Sequence, residues 1–213
     1  MPINFANKRF LVLGAGVTGS AVARSLQARG GTVSIADDNA PDSIKPESVN
    51  LQDFDAVVIS PGWRQDHPLV IKVLASDLEI LNEIDLAWLI RAEVAPGQKW
   101  LALTGTNGKT TTVEMTAKIL QTAGLKAVAC GNVGDTVIEA VDRPEPYEYL
   151  VLELSSFQLH WAKQAEFVSS AILNIADDHL DWHGTFDAYA DAKFSILDRS
   201  AIAVLNADDG EVV

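Results

Sequence analysis

The chain has 213 residues, a formal net charge of −13 and 48% hydrophobic residues. That length suits one large or two small domains with a filled core, and the acidity argues against a nucleic-acid partner, which needs a basic face. Charged residues interrupt every apolar run before it reaches a membrane span, the N-terminus has no secretory pattern, and the lone Cys130 excludes an internal disulfide and fits a reducing cytoplasm.

In chain order, strands and helices alternate, which predicts an α/β protein with parallel sheets. Residues 9–13 read as a strand and residues 17–29 as a helix stopped by Gly30-Gly31. Between them Gly14-Ala15-Gly16-Val17-Thr18-Gly19 is a complete G-x-G-x-x-G, and the next strand, 32–36, leads into Asp37. This is the spacing of a Rossmann dinucleotide site. Glycines admit the pyrophosphate, a helix N-terminus attracts its charge, and the acid accepts from a ribose hydroxyl. The same groups suit any phosphate beside a ribose or uracil donor. An NAD-dependent oxidoreductase is therefore one reading, a non-catalytic nucleotide-binding module another, and glycines that only serve helix–sheet packing a third. A strand at 55–60 ends in Ser60-Pro61-Gly62, on the same rim of a doubly wound sheet. A helix at 68–76, a short strand at 78–81 and an amphipathic helix at 83–92 follow. The breaker cluster Val94-Ala95-Pro96-Gly97-Gln98 then sets a boundary between domains at 1–93 and 94–213.

The second unit opens with a strand at 99–103. Thr104-Gly105-Thr106-Asn107-Gly108-Lys109-Thr110-Thr111-Thr112 leads from it into a helix at 109–123. Glycines let backbone N–H groups close on phosphate oxygens, Lys109 neutralises terminal phosphates, and the Thr110 hydroxyl suits Mg²⁺. Residues Gly105, Thr106, Asn107, Gly108, Lys109, Thr110 and Thr111 are thus candidate ATP contacts. The strict P-loop pattern requires glycine at 103, where this chain has Leu103. A strand at 125–129, the turn Gly131-Asn132 and a helix at 134–141 come next. A strand at 148–153 ends at Glu153, a hard oxygen ligand for Mg²⁺ if it lies beside the phosphate loop, or an acid facing water if not. A strand at 168–174 runs into Asp177-Asp178-His179-Leu180-Asp181, a candidate second cation site. A helix at 185–198 and a strand at 201–205 follow. That last strand has no helix to cover it, so the end reads as a cut. His67, His160 and His183 read as structural, and Lys193, taken alone, as an ordinary helical lysine.

Together, Thr104–Thr112, Gly131-Asn132, Glu153-Leu154-Ser155-Ser156-Phe157-Gln158 and Asn174–Asp181 resemble the Mur ligases of peptidoglycan synthesis. Gly14–Gly19 with Asp37 and Ser60-Pro61-Gly62 resembles the branch that adds D-glutamate to UDP-N-acetylmuramoyl-L-alanine. The resemblance implies that ATP phosphorylates the alanyl carboxylate and that the D-glutamate amine attacks the acyl phosphate. It implies a catalytic group of Lys109, His179 and Lys193, with Lys109 on the β- and γ-phosphates. Thr110 and Glu153 would ligate one Mg²⁺ and His179 a second, with Lys193 carbamylated, because a carbamate offers anionic oxygens where an ammonium repels the ion. Asn132, Ser155 and Gln158 would contact substrate, and Val17, Thr18, Asp37 and Asp38, with Gly62 nearby, would line a UDP pocket. Asp38-Asn39 departs from the hydroxyl and arginine of some relatives. The fold implied is a Rossmann-like N-terminal domain followed by an incomplete P-loop-type ATPase domain with a mainly parallel sheet, the C-terminal domain absent. A cytoplasmic monomer is expected, and the 213-residue chain alone is expected to be inactive in ligation.

Overall fold

Short apolar runs bounded by glycine, proline and aspartate fold here as parallel strands, buried in the middle of each sheet and exposed at the last strand, in a computed structural model that describes residues 5–213. The first sheet uses β1 (Arg9–Leu13), β2 (Thr32–Ala36), β3 (Ala56–Ile59) and β4 (Glu79–Asn82) in the order β2-β1-β3-β4, all parallel. Helices α1 (Val17–Ala28), α2 (Pro68–Leu74) and α3 (Glu83–Val94) belong to the same stretch of chain. The second sheet uses β5 (Lys99–Thr104), β6 (Ala127–Gly131), β7 (Tyr149–Glu153), β8 (Ser169–Ile172) and β9 (Ala203–Leu205) in the order β6-β7-β5-β8-β9, again all parallel. Helices α4 (Lys109–Thr122), α5 (Val137–Val141), α6 (Ser156–Trp161), α7 (Leu180–His183) and α8 (Phe186–Phe194) complete it. Strand order reverses between β1 and β3 in one sheet and around β5 in the other. Those two switch points open crevices at the strands' C-terminal ends.

Local chemistry explains where elements differ from the sequence expectation. β6 starts at Ala127 rather than 125, because Leu125 is consumed in closing α4: its N–H donates to Leu120 O at 3.1 Å beyond Gly124. The helix expected over 185–198 stops at Phe194, and a 3₁₀ turn at Leu197–Arg199 follows. α6 and α7 are too short to leave a helical periodicity. α3 runs through Val94, and β5 begins at Lys99. No helix among the described residues is long and apolar enough to cross a membrane.

The two sheets are joined through one continuous core, in which Leu26 of α1 and Ile84, Ala87 and Ile90 of α3 belong with Val137, Ile138 and Val141 of α5. Surface pairs reinforce it: Arg24 with Glu139 at 2.7 Å and Arg29 with Asp142 at 2.6 Å. Two carboxylates lie buried in this seam. Asp85 accepts from Lys163 N (2.7 Å), Gln164 N (2.8 Å), Ala165 N (2.9 Å) and Asn82 Nδ2 (2.6 Å). Glu83 accepts from Ile138 N at 2.8 Å, at the start of α5.

Burial pushes the Glu83 carboxyl up to about 7, against the Ile138 and Val137 amides and with help from the Glu139 charge. The folded protein therefore holds a proton that the unfolded chain releases near pH 4.3, and stability falls as pH rises from about 4.3 through 7. Glu83→Gln keeps an acceptor for Ile138 without the charge. We expect it to raise unfolding free energy by about 1–3 kcal/mol at pH 8 and to have little effect at pH 4.5, as read by urea unfolding at both pH values.

Candidate active site

The phosphate loop lies in the crevice beside β5. α4 is anchored by Val113 and Ala117, which pack on Leu103, Ala129 and Val151. Gly108 precedes its first turn at φ +80°, a left-handed conformation that glycine adopts without strain. Asn174, just past β8, clamps the loop: its side chain accepts from Asn107 N at 2.8 Å and donates to Asn107 O at 3.1 Å. Thr106 Oγ1 accepts from Ala176 N at 2.9 Å and meets Tyr189 Oη at 2.8 Å. Thr110 and Thr111 stand exposed on the first turn of α4.

Two lysines meet on one carbonyl. Lys109 Nζ donates to Gly105 O and to Thr106 O, each at 3.0 Å. Lys193 Nζ, reaching in from α8, donates to the same Gly105 O at 2.8 Å and to Thr104 Oγ1 at 3.3 Å. Lys193 is 2% exposed and packs on the Tyr189 ring at 4.7 Å. Burial first, and the Lys109 charge second, push its amine down to about 7, against a smaller upward pull from Asp178.

Glu153 is 2% exposed at the end of β7, in register with Leu103 on one side and Gly131 on the other. One carboxylate oxygen accepts from Thr110 Oγ1 at 2.8 Å and the other from Asn132 Nδ2 at 2.9 Å. Both donors are neutral, so the charge is solvated without being compensated. A hard cation is the natural complement of such a carboxylate beside a hydroxyl and an amide oxygen. His179 sits at the rim in a left-handed conformation (φ 51°), its Nε2 3.4 Å from Asp178 Oδ2 and its ring 4.7 Å from that of Phe157. Among the described residues, no three His, Cys, Asp or Glu side chains converge as a metal shell.

The other crevice is a cavity of about 510 Å³ at the β1–β3 switch point, lined by the glycine loop, Asp37-Asp38-Asn39 and Ser60 through Arg64. Gly19 is required there, since a Cβ would stand 1.8 Å from Gly14 O. The Asp37 carboxylate turns into the loop, accepting from Ala15 N (2.9 Å), Asn39 N (2.8 Å) and Ala40 N (3.0 Å). These amides, Ala15 foremost, hold it below the usual carboxylate range. Three of its roughly four lone-pair sites are thereby filled, which leaves about one for a ligand's donor.

The profile described as Mur ligase middle domain matches residues 103–212, about half of the chain. The chain belongs to the Mur ligase family. Among curated relatives, the UDP-N-acetylmuramoylalanine–D-glutamate ligase of Corynebacterium diphtheriae is 41% identical over 221 residues, covering 96% of this chain and 46% of that protein. That of Thermobifida fusca is 40% identical, covering 95% and 47%. The chain thus spans about half the length of the curated relatives it matches. Among solved structures, UDP-N-acetylmuramate:L-alanyl-gamma-D-glutamyl-meso-diaminopimelate ligase from Neisseria meningitides has the same fold (TM-score 0.60, 18% identity, 97% of this chain and 73% of that one).

In this Mur ligase chain, Lys109, Thr110, Asn132, Glu153 and Lys193 gather at one crevice, with His179 at its rim. Val17, Thr18, Asp37, Asp38 and Gly62 gather at the other. Ser155 and Gln158 engage each other instead. Ser155 N donates to Gln158 Oε1 at 2.9 Å and Gln158 N to Ser155 Oγ at 3.2 Å, a capping box that starts α6. Trp63, Arg64, Asp66 and His67, none with an expected binding role, also line the first cavity, and the His67 ring meets that of Trp63 edge-on at 4.5 Å. An aromatic and an arginine directly after Ser-Pro-Gly were the available signal. His183 is buried with Nε2 2.9 Å from Ser156 Oγ, and burial pushes it down to about 4, so it stays neutral and structural at neutral pH.

Proposed function

We propose that this chain is the UDP-substrate- and ATP-binding part of a ligase that joins D-glutamate to UDP-N-acetylmuramoyl-L-alanine through an acyl phosphate. The observation that carries the reading is the convergence of Lys109 and Lys193 on Gly105 O, at a loop whose Thr110 bonds the buried Glu153, itself held by neutral donors. An anion between the lysines and a cation on the carboxylate would complement such a site, and a nucleotide triphosphate with Mg²⁺ supplies both. The names of the curated relatives support the choice of D-glutamate and of the UDP-linked acceptor.

In this reading the loop amides of Gly105 to Lys109 hold phosphate oxygens, and Lys109 leaves its two carbonyls to neutralise terminal phosphate charge. Thr110 and Glu153 hold Mg²⁺, which when bound screens the phosphoryl oxygens from the attacking carboxylate. Burial and the Lys109 charge push the Lys193 amine down to about 7, which brings its neutral form within reach near neutral pH. Its free amine then adds to CO₂ with loss of one proton, and the resulting carbamate turns the repulsion from Lys109 into attraction. His179, with Asp178 behind it, serves a second cation. Asn132 contacts substrate while steadying Glu153, and the Ser155–Gln158 pair fixes the N-terminus of α6 beside it. Val17, Thr18, Asp37 and Asp38, with Gly62, take the uridine diphosphate. A cytoplasmic, monomeric enzyme completes the proposal.

The test is phosphate release from ATP by the full-length protein given UDP-N-acetylmuramoyl-L-alanine and each candidate amino acid in turn, in bicarbonate buffer. Release that depends on D-glutamate is expected, with a ¹³C-bicarbonate-derived carbamate resonance that Lys193→Arg removes. Release driven by a different amino acid would overturn the D-glutamate assignment, and a missing resonance would overturn the role of Lys193.

A further inference from the structure

An acidic chain that takes up a diphosphate needs a full positive charge at that pocket. Among the described residues that line the first cavity are the acids Asp37, Asp38 and Asp66, and the one lysine or arginine is Arg64, while nearby Lys45 is committed to Asp38 O at 2.9 Å. α1 points its N-terminus at the cavity with no acidic residue in its first turn, but a helix end contributes only about half a charge. Arg64 follows Ser60-Pro61-Gly62-Trp63, beyond the end of β3.

The guanidinium is held on two sides. Nε and Nη2 donate to Oδ1 and Oδ2 of Asp66, each at 2.9 Å. Nη1 donates to the backbone oxygen of Asp181, two residues beyond His179 on the opposite unit. A guanidinium carries five N–H donors in a rigid fork, so two remain for a ligand, and their direction is fixed before it arrives. Preorganisation of this kind reduces the ordering cost of binding. The side chain lines the cavity and is still 44% exposed, so a ligand there can reach it.

We propose that Arg64 is the phosphate-recognising residue of the first cavity, aimed by Asp66 and by the Asp181 carbonyl, and that it selects a nucleoside diphosphate over the bare nucleoside. The proposal rests on the cavity being a uridine-diphosphate site. Asp66 has two effects on Arg64: it orients the fork and it offsets its charge. Neutralising Asp66 while keeping its shape leaves more of the arginine's charge for phosphate.

Calorimetric titration of the 213-residue chain with UDP and with uridine separates the possibilities. Arg64→Ala is expected to weaken UDP binding by roughly ten-fold or more, the scale of a lost charge-assisted hydrogen bond, and to change uridine binding by less than about two-fold. Arg64→Lys should retain part of the UDP preference, and Asp66→Asn should tighten UDP by about two- to five-fold. Equal weakening of UDP and uridine by Arg64→Ala would show that the residue only shapes the loop, and would overturn the proposal. So would unchanged UDP binding, or an Asp66→Asn variant as impaired for UDP as Arg64→Ala. An unmodified chain that binds neither ligand would instead overturn the cavity reading itself.

Discussion

Asp85→Ala should lower the unfolding free energy of this chain by about 3–5 kcal/mol, roughly 10–15 °C in Tm for a protein of this size. The carboxylate is 2% exposed and collects three consecutive backbone N–H groups, those of Lys163, Gln164 and Ala165, together with the Asn82 amide. Removing it leaves those donors unpaired where water enters poorly, and each buried unpaired donor costs about 1–3 kcal/mol. The effect is also directional. Asp85 lies on α3, packed with the first sheet, whereas residues 163–165 follow α6 and belong with the second. Losing the contact should uncouple the two sheets, so that urea unfolding followed by tryptophan fluorescence and by circular dichroism separates into two transitions. Asp85→Asn keeps one acceptor oxygen but turns an N–H toward other donors, and should recover less than half of the loss. A cost below about 1 kcal/mol with one coincident transition would mean that the loop finds other acceptors.

Sequence and structure agree best where one residue's chemistry is local. β1 and β5 were legible because each is an apolar run ending at a glycine loop, and Gly108-Lys109-Thr110 because its strand-to-helix setting is contiguous in the chain. Glu153 was legible as a strand-end acid, although only pairing with β5 and β6 shows that it faces the loop. Lys193 marks the limit. On α8 it is an unremarkable helical lysine, and its position over Gly105, 88 residues away in sequence, is a product of topology. The role proposed for it is reachable only through the family resemblance. Asp85 was missed for the same reason, since an acid near the start of an amphipathic helix ordinarily reads as helix-dipole chemistry. At Ser155 and Gln158 the visible geometry is local. Three residues apart, they carry a capping-box signature that explains their local geometry without a ligand.

The second large effect concerns Glu153, where stability and ligand binding should move in opposite directions. Its carboxylate is buried, forms no ion pair among the described residues, and is satisfied by one hydroxyl and one amide. Burying a charge this way is costly, and a neutral group of the same shape removes that cost. Glu153→Gln should therefore leave Tm unchanged or raise it, with the Asn132 amide turning over so that oxygen meets the new N–H₂. ATP without metal should bind slightly more tightly, since one negative charge facing the phosphates is gone. The increment in affinity on adding Mg²⁺, by contrast, should shrink by ten-fold or more, because the hard anionic ligand is lost. Titrating the 213-residue chain with ATP in EDTA and again in excess Mg²⁺ reads both terms. Lys109→Ala serves as the contrast: it should weaken ATP in both buffers, since its charge acts on phosphate whether or not a metal is present. An equal Mg²⁺ increment in the parent chain and in Glu153→Gln would place the ion elsewhere and leave Glu153 as a buried partner of Thr110 and Asn132. A Tm falling by several degrees would show that the carboxylate is needed for the fold itself, against the reading that a cation completes it.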